Sequence, residues 1–466
     1  MRNGIICFLI LLVSFILITS KVNAKYNPLF VDNNIYGIHL TNHSDIEDAA
    51  KLLNSSGGDW GYVTVVITEN QRDKKVWQDF FEKARKLHLI PIIRVASKVE
   101  NGIWKKPQIE EISNWVNFFN SLNWVIENRY VIIGNEPNHA KEWGGNVDPA
   151  EYAIYLKSFA SQLKESNPDY FVLPAGFDQA AGNTEDTKDL KVFLKNMITS
   201  TPDVFDNIDG WNSHSYPNPD FSADVNNKGR NSILGYQWEL DYLKELGIKN
   251  DYSVFITETG WSNERLNEEE VSNNYKKAFT EIWNKDSRVV AVTPFILNYQ
   301  QAPFSEFSWK KDNKNYFKQY GVIQQIEKIK GKPSQKVDGK ILFSYLRSTS
   351  EVGSKVNGYL LVQNKGQNIW NNTNTYLLSE NNDLVSISET KMFEVIPFQK
   401  QFIGYSINSP DIDGESDLKI GLYVEHQKIG DVFDGKIYSF INGKSLIENI
   451  ANRLRALFIN IENLQS

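Results

Sequence analysis

The stretch Val131-Ile132-Ile133-Gly134-Asn135-Glu136-Pro137-Asn138 decides how the rest of the chain is read. An apolar run from Tyr130 to Ile133 breaks off into Gly, Asn, Glu and Pro. A short unbroken apolar run reads as a strand buried on both faces, as in a parallel sheet. Pro137 has no N–H to give to a ladder, so pairing stops before it. Glu136 is left at the carboxyl end of a strand, where parallel α/β folds place their chemistry. A strand-end Glu can equally pair with a Lys or cap a helix, and this stretch alone does not choose.

A second stretch chooses. Ser253-Val254-Phe255-Ile256-Thr257-Glu258-Thr259-Gly260-Trp261 repeats the pattern of apolar run, Glu, then Gly and an aromatic, 122 residues after the first Glu. Two carboxylates at two strand ends are what a retaining glycosidase needs. One protonates the leaving oxygen and the other attacks the anomeric carbon, with the pair about 5–5.5 Å apart. The Asn-Glu-Pro of the first stretch and the Thr-Glu-Thr-Gly-Trp of the second resemble clan A of the glycoside hydrolases. That resemblance implies a (β/α)8 barrel, with Glu136 as acid/base on strand four and Glu258 as nucleophile on strand seven.

Working outward, the strand count agrees. Ile35-Tyr36-Gly37-Ile38-His39-Leu40, Tyr62 to Ile67 and Leu89-Ile90-Pro91-Ile92-Ile93-Arg94-Val95 read as strands one to three. Phe171 to Gly176, Ile208 to Tyr216 and Val289 to Leu297 read as strands five, six and eight. Helical spacing of apolar residues separates them, as in Val76, Trp77, Phe80, Phe81, Ala84 and Leu87. Asp148-Pro149-Ala150-Glu151 gives an N-cap with Pro at the first helical position, and Asn267 with Glu270 reads as a capping box. The expected fold is therefore an α/β TIM barrel over residues 25–330. An open doubly wound sheet is the alternative, and it lacks the Gly-rich first turn.

The clan resemblance also implies roles around the pair. Strand six of the clan carries His-x-Tyr, matched by His214-Ser215-Tyr216, with the Tyr hydrogen-bonding the nucleophile. Asn135 would donate to the sugar 2-hydroxyl. Arg94 and Tyr216 are the candidate donors that keep Glu258 ionised, and His39 joins the expected substrate-binding set. Much of the clan carries an Arg near the end of strand two, whereas Arg94 ends strand three. The clan's strand eight ends in a Trp under the sugar, whereas Pro294-Phe295-Ile296-Leu297-Asn298 has none; Phe295 or Trp309 is the expected substitute. Trp104, Trp143, Trp211, Trp261 and Trp309 lie near strand ends, and Trp143 and Trp261 are placed in sugar subsites. Each of these residues singly could be core packing.

The 466 residues, 41% hydrophobic and 13% aromatic, suffice for one large core and a smaller one. Arg2, an apolar run from Ile5 to Ile18 and small residues at Val22 and Ala24 read as a signal peptide, residues 1–24. The run is shorter than the ~20 residues of a membrane span, and no later stretch could cross a bilayer. The single cysteine, Cys7, lies in this leader, so no disulfide or thiolate chemistry is expected. Removing the leader takes two basic residues and no acid, moving the formal charge from −7 to −9. An acidic chain without basic blocks argues against nucleic acid. No metal-binding spacing stands out, so no metal and no cofactor is expected.

Gly331-Lys332-Pro333-Ser334-Gln335 reads as a linker, taken as residues 331–336. Beyond it come short alternating strands: Gly358 to Asn364, Thr375 to Leu378, Phe402 to Ile407 and Lys419 to Val424. They predict a smaller all-β sandwich over residues 337–445. Asn364 to Trp370, Val395-Ile396-Pro397 and Ser409-Pro410-Asp411 resemble the immunoglobulin-like four-tryptophan domain, with Trp370 as the one Trp present. Residues 446–466 read as a terminal helix or tail. The expectation is a secreted or cell-surface retaining glycosidase acting on carbohydrate. A transglycosylase with the same pair and a non-catalytic carbohydrate-binding surface protein are the rivals. Sugar, linkage and oligomeric state stay open.

Overall fold

Every barrel strand is buried along nearly its whole length, the burial a parallel sheet imposes when helices cover it. In the computed structural model these strands are β1 (Gly37–Leu40), β2 (Gly61–Thr68), β3 (Leu89–Ala96), β4 (Arg129–Ile133), β5 (Tyr170–Pro174), β6 (Gly210–His214), β7 (Ser253–Glu258) and β8 (Val289–Val292). The structure describes residues 26–380, 387–443, 447–448 and 450–451. Their contacts divide the chain into two units. The first holds the described residues up to Phe80, then Leu87–Leu122 and Asn128–Pro333. The second holds Phe81–Lys86, Asn123–Glu127 and the described residues from Ser334 onward.

In the first unit β1 to β5 pair in parallel in sequence order, and so do β6 to β8. Hydrogen bonds join the two runs. Asp209 N donates to Val172 O at 2.9 Å between β5 and β6, and Val292 N donates to Ile35 O at 2.9 Å between β8 and β1. The eight strands thus close on themselves. Tyr130 of β4 meets Phe255 of β7 with ring centroids 5.1 Å apart. These strands are not neighbours, so the rings touch across the barrel interior, which is packed rather than hollow.

The connecting helices are α1 (Ile46–Leu53), α2 (Lys74–Lys86), α3 (Ile112–Asn120), α4 (Pro149–Ser166), α5 (Leu190–Ser200), α6 (Gly235–Glu245), α7 (Glu268–Lys277) and α8 (Lys318–Gln325). Asp148 caps α4 by accepting from Ala150 N and Glu151 N. Asn267 and Glu270 form the full reciprocal capping box of α7. Among the described residues no helix is long and apolar enough to cross a membrane.

The second unit contains two four-stranded sheets. One orders β9 (Gly339–Leu346), β11 (Lys355–Asn364), β14 (Lys400–Asn408) and β13 (Ile387–Lys391). The other orders β10 (Thr349–Glu351), β16 (Gln427–Phe440), β15 (Gly414–Val424) and β12 (Thr375–Ser379). Alternate residues of β11 are buried, and Leu360, Val362, Trp370, Ile403, Leu418 and Ile420 share one core. The expected signal peptide lies outside the described residues. So does the expected terminal helix, apart from Ile447, Glu448, Ile450 and Ala451.

Candidate active site

The site begins with the turn that ends β4. Gly134 takes φ +91°, and Glu136 itself takes φ +30°. The first angle costs a glycine little and would strain any other residue. Glu136 N donates to Gly176 O at 3.0 Å, tying this turn to the end of β5. Glu258 is the last residue of β7 and is buried. The ligating atoms of Glu136, His214 and Glu258 all lie within 4.8 Å of one another.

Glu258 is surrounded by donors. Arg94 Nη1 donates to its Oε1. Tyr216 OH donates to its Oε2 at 3.2 Å. His214 Nδ1 stands 3.8 Å from Oε2. Burial pushes the Glu258 carboxyl up, but the charges of His214 and Arg94 outweigh it and hold the group at about 2. A divalent cation would have to share this carboxylate with the guanidinium already on it.

His214 ends β6, with Nδ1 at 2.9 Å from Glu136 Oε1. Burial pulls its pKa down, while Glu258 and Glu136 push it up; the carboxylates win, and it lies above the ordinary value. The imidazole fits because residue 176 is glycine: a Cβ there would stand 2.1 Å from His214 Cδ2. His39, at 1% exposure, faces Phe295 with ring centroids 5.1 Å apart. Burial, aided by the Arg94 charge, takes its pKa down to about 3, so it is neutral. Among the described residues neither of its ring nitrogens has a hydrogen-bond partner.

Asn135 Oδ1 accepts from Arg94 Nη1 at 2.7 Å, and its Nδ2 donates to Glu142 Oε2 at 3.2 Å. Sequence reasoning missed Glu142; in the polar loop after Glu136 it looks like any solvated acid. Its carboxyl is raised by burial and then by the charge of Glu136.

Glu136, Glu258, Asn135, Arg94, His214, Tyr216 and His39 therefore converge at one end of the barrel. Arg94 does lie on the third strand. Trp143 and Trp261 are placed elsewhere. Trp143 is 3% exposed and packs edge-on against Tyr152 and Tyr155. Trp261 is 1% exposed, meets Tyr275 edge-on, and donates to Ala223 O. Neither ring has a free face for a sugar. Trp309 is likewise buried, against Tyr275. Phe295 packs against His39 and Phe307, and Phe307 contacts Tyr216.

No protein-family model matches the chain, and no curated protein matches it by sequence. The structure comparison finds solved structures similar to it at TM-scores below 0.5. A family 39 glycoside hydrolase from the gut symbiont Bacteroides cellulosilyticus is 13% identical, with 82% of this chain and 81% of that one covered and a TM-score of 0.44. A monomeric β-xylosidase from Caulobacter crescentus is 11% identical, with coverages of 70% and 73% and a TM-score of 0.45. A family 51 α-L-arabinofuranosidase from Bifidobacterium longum is 11% identical, with coverages of 84% and 97% and a TM-score of 0.44.

Proposed function

We propose that the protein is a secreted retaining glycoside hydrolase that cleaves β-linked oligo- or polysaccharide by double displacement. One observation carries this reading: carboxylate oxygens of Glu136 and Glu258 lie within 4.8 Å of each other at two strand ends. That separation favours direct attack. Inverting enzymes hold their carboxyls about 6.5–9.5 Å apart to admit a water.

In the first step ionised Glu258 attacks the anomeric carbon as the bond to the leaving oxygen breaks. Glu136 gives that oxygen its proton, and a glycosyl ester forms on Glu258. The 2.9 Å contact with His214 Nδ1 keeps a proton within reach of Glu136 Oε1. In the second step Glu136 takes a proton from water, the water oxygen bonds to the anomeric carbon, and Glu258 leaves as a carboxylate. Arg94 and Tyr216 hold the Glu258 oxygens in line for attack and receive the charge back at the end.

The test is proton NMR of the first-formed sugar, which should keep its anomeric configuration. Glu258→Ala should lose turnover by orders of magnitude, and azide should restore some of it with an inverted product. In Glu136→Ala, azide should give a retained product. An inverted product from the wild type would sink the reading. Added acceptor sugar separates the transglycosylase, which would make longer products rather than free sugar. Export rests on residues 1–24 and is checked by finding Lys25 at the mature N-terminus. The paired sheets of the second unit support an immunoglobulin-like sandwich.

A further inference from the structure

Glu142 is a carboxylate beside the catalytic pair to which the chemistry above gives no task. It belongs to the single 3-10 turn Ala140–Glu142 after β4. Backbone bonds fix this turn: Ala140 N to Asp186 O at 2.8 Å, Trp143 N to Ala140 O at 3.0 Å, and Gly144 N to Trp104 O at 2.9 Å. The buried Trp143 ring between Tyr152 and Tyr155 anchors it further. Glu142 is thus presented from a fixed platform.

Its partner is the side chain of Asn135, which offers one carbonyl oxygen and two N–H groups. The oxygen faces Arg94 at 2.7 Å, and one N–H faces Glu142 Oε2 at 3.2 Å. A guanidinium can only donate and an ionised carboxylate can only accept. These two neighbours together therefore decide which end of the amide points where. They leave one N–H of Asn135 unassigned. Arg94 alone would hold the oxygen but leave the amide plane free to turn about that contact.

We propose that Glu142 is a positioning residue, locking the Asn135 amide so that its remaining N–H meets the 2-hydroxyl of the sugar being transferred. This rests on Glu136 and Glu258 being the catalytic pair. Glu142 acts through Asn135 and takes no part in proton transfer.

The experiment compares an aryl β-glycoside with its 2-deoxy counterpart. Glu142→Ala should lower kcat/KM on the 2-hydroxy substrate by roughly tenfold to a hundredfold, the scale of one hydrogen bond to a charged group. On the 2-deoxy substrate the loss should stay under about threefold, because the contact it supports is absent there. Glu142→Gln keeps an acceptor oxygen and should recover most of the rate. In an Asn135→Ala background Glu142→Ala should be silent. Equal losses on the two substrates, no loss on either, or a full effect without the Asn135 side chain would overturn the proposal. An inverted first product from the wild type sinks the catalytic pair and this inference together. A retained product with equal losses sinks this inference alone.

Discussion

Glu258 sits where burial and charge oppose each other, and His214 shows the same opposition with the signs exchanged. The Glu258 carboxyl is depressed to about 2 against an ordinary 4.5. The stability it adds is present above about pH 4.5 and lost as pH falls through about 2. His214 is raised above an ordinary 6.5, so its contribution is complete below that value and lost as pH rises through the raised one. Both contributions are whole between those two ordinary values. The chain has six histidines, few enough to follow each imidazole by NMR. His214 should titrate above 6.5 in the wild type. In Glu258→Gln it should titrate lower, because the strongest upward push is gone while burial stays. An unmoved midpoint would mean that the two groups do not feel each other. At this scale the sequence was informative where a polar residue interrupts an apolar strand end, as Asn135, Glu136 and Glu258 do; His214 and Tyr216 were marked by the His-x-Tyr resemblance instead. It was uninformative for Glu142, one acid in a polar loop. It misplaced Trp143 and Trp261, because nearness to a strand end does not say which way a ring turns, and both turned toward buried tyrosines.

Two glycines at the ends of β4 and β5 show that elements meet the site for different reasons. At Gly134 the constraint is the backbone. Its φ is +91°, and an added Cβ would meet Tyr152 Cε2 at an ordinary 3.5 Å. Gly134→Ala should therefore cost about 1–2 kcal/mol, the price of a left-handed conformation for an L-residue. At Gly176 the constraint is space, since a Cβ would overlap His214 Cδ2 at 2.1 Å. Overpacking of this kind costs typically 1–3 kcal/mol, and here the imidazole is what must move. Urea unfolding should show both losses. Only Gly176→Ala should also displace the His214 resonance and lower kcat; if it leaves both as in the wild type, the packing described here is wrong. Capping residues were legible because Asp148 and Asn267 act on their own next turn. Strand ends were less so. The expected eighth strand ran to Leu297, but regular pairing stops at Val292, just short of Pro294, which has no N–H to pair. The strands β9 and β16 escaped notice because neither alternates cleanly: β9 breaks register between Ile341 and Phe343, and β16 carries Gly430 and Gly435 inside it.

Across the whole molecule, the eight-strand count anticipated the barrel, because each barrel strand announces itself locally. The division of the chain into units was not local. By their contacts Phe81–Lys86 and Asn123–Glu127 belong to the second unit, with the described residues from Ser334 onward. Nothing in either short segment marks it: Arg85 donates to Asn123 O and Trp124 O, while Asn123 donates to Gly366 O and Gln367 to Ile126 O, more than two hundred residues along the chain. This membership has a thermodynamic consequence. Phe81–Lys86 is the C-terminal part of α2, so one continuous helix is divided between the two units. Trp370 is fully buried in the second unit's core beside Leu360, Val362 and Val395. Trp370→Ala should cost about 3–5 kcal/mol. Because chain segments are shared, calorimetry should show a single transition moved down by a few degrees, rather than a shifted one beside an unshifted one. Below that transition kcat on a small aryl glycoside should stay as in the wild type, since Glu136, Glu258 and the residues around them all belong to the first unit. Two transitions, with the upper one unmoved, would show that the barrel holds α2 without the second unit's help.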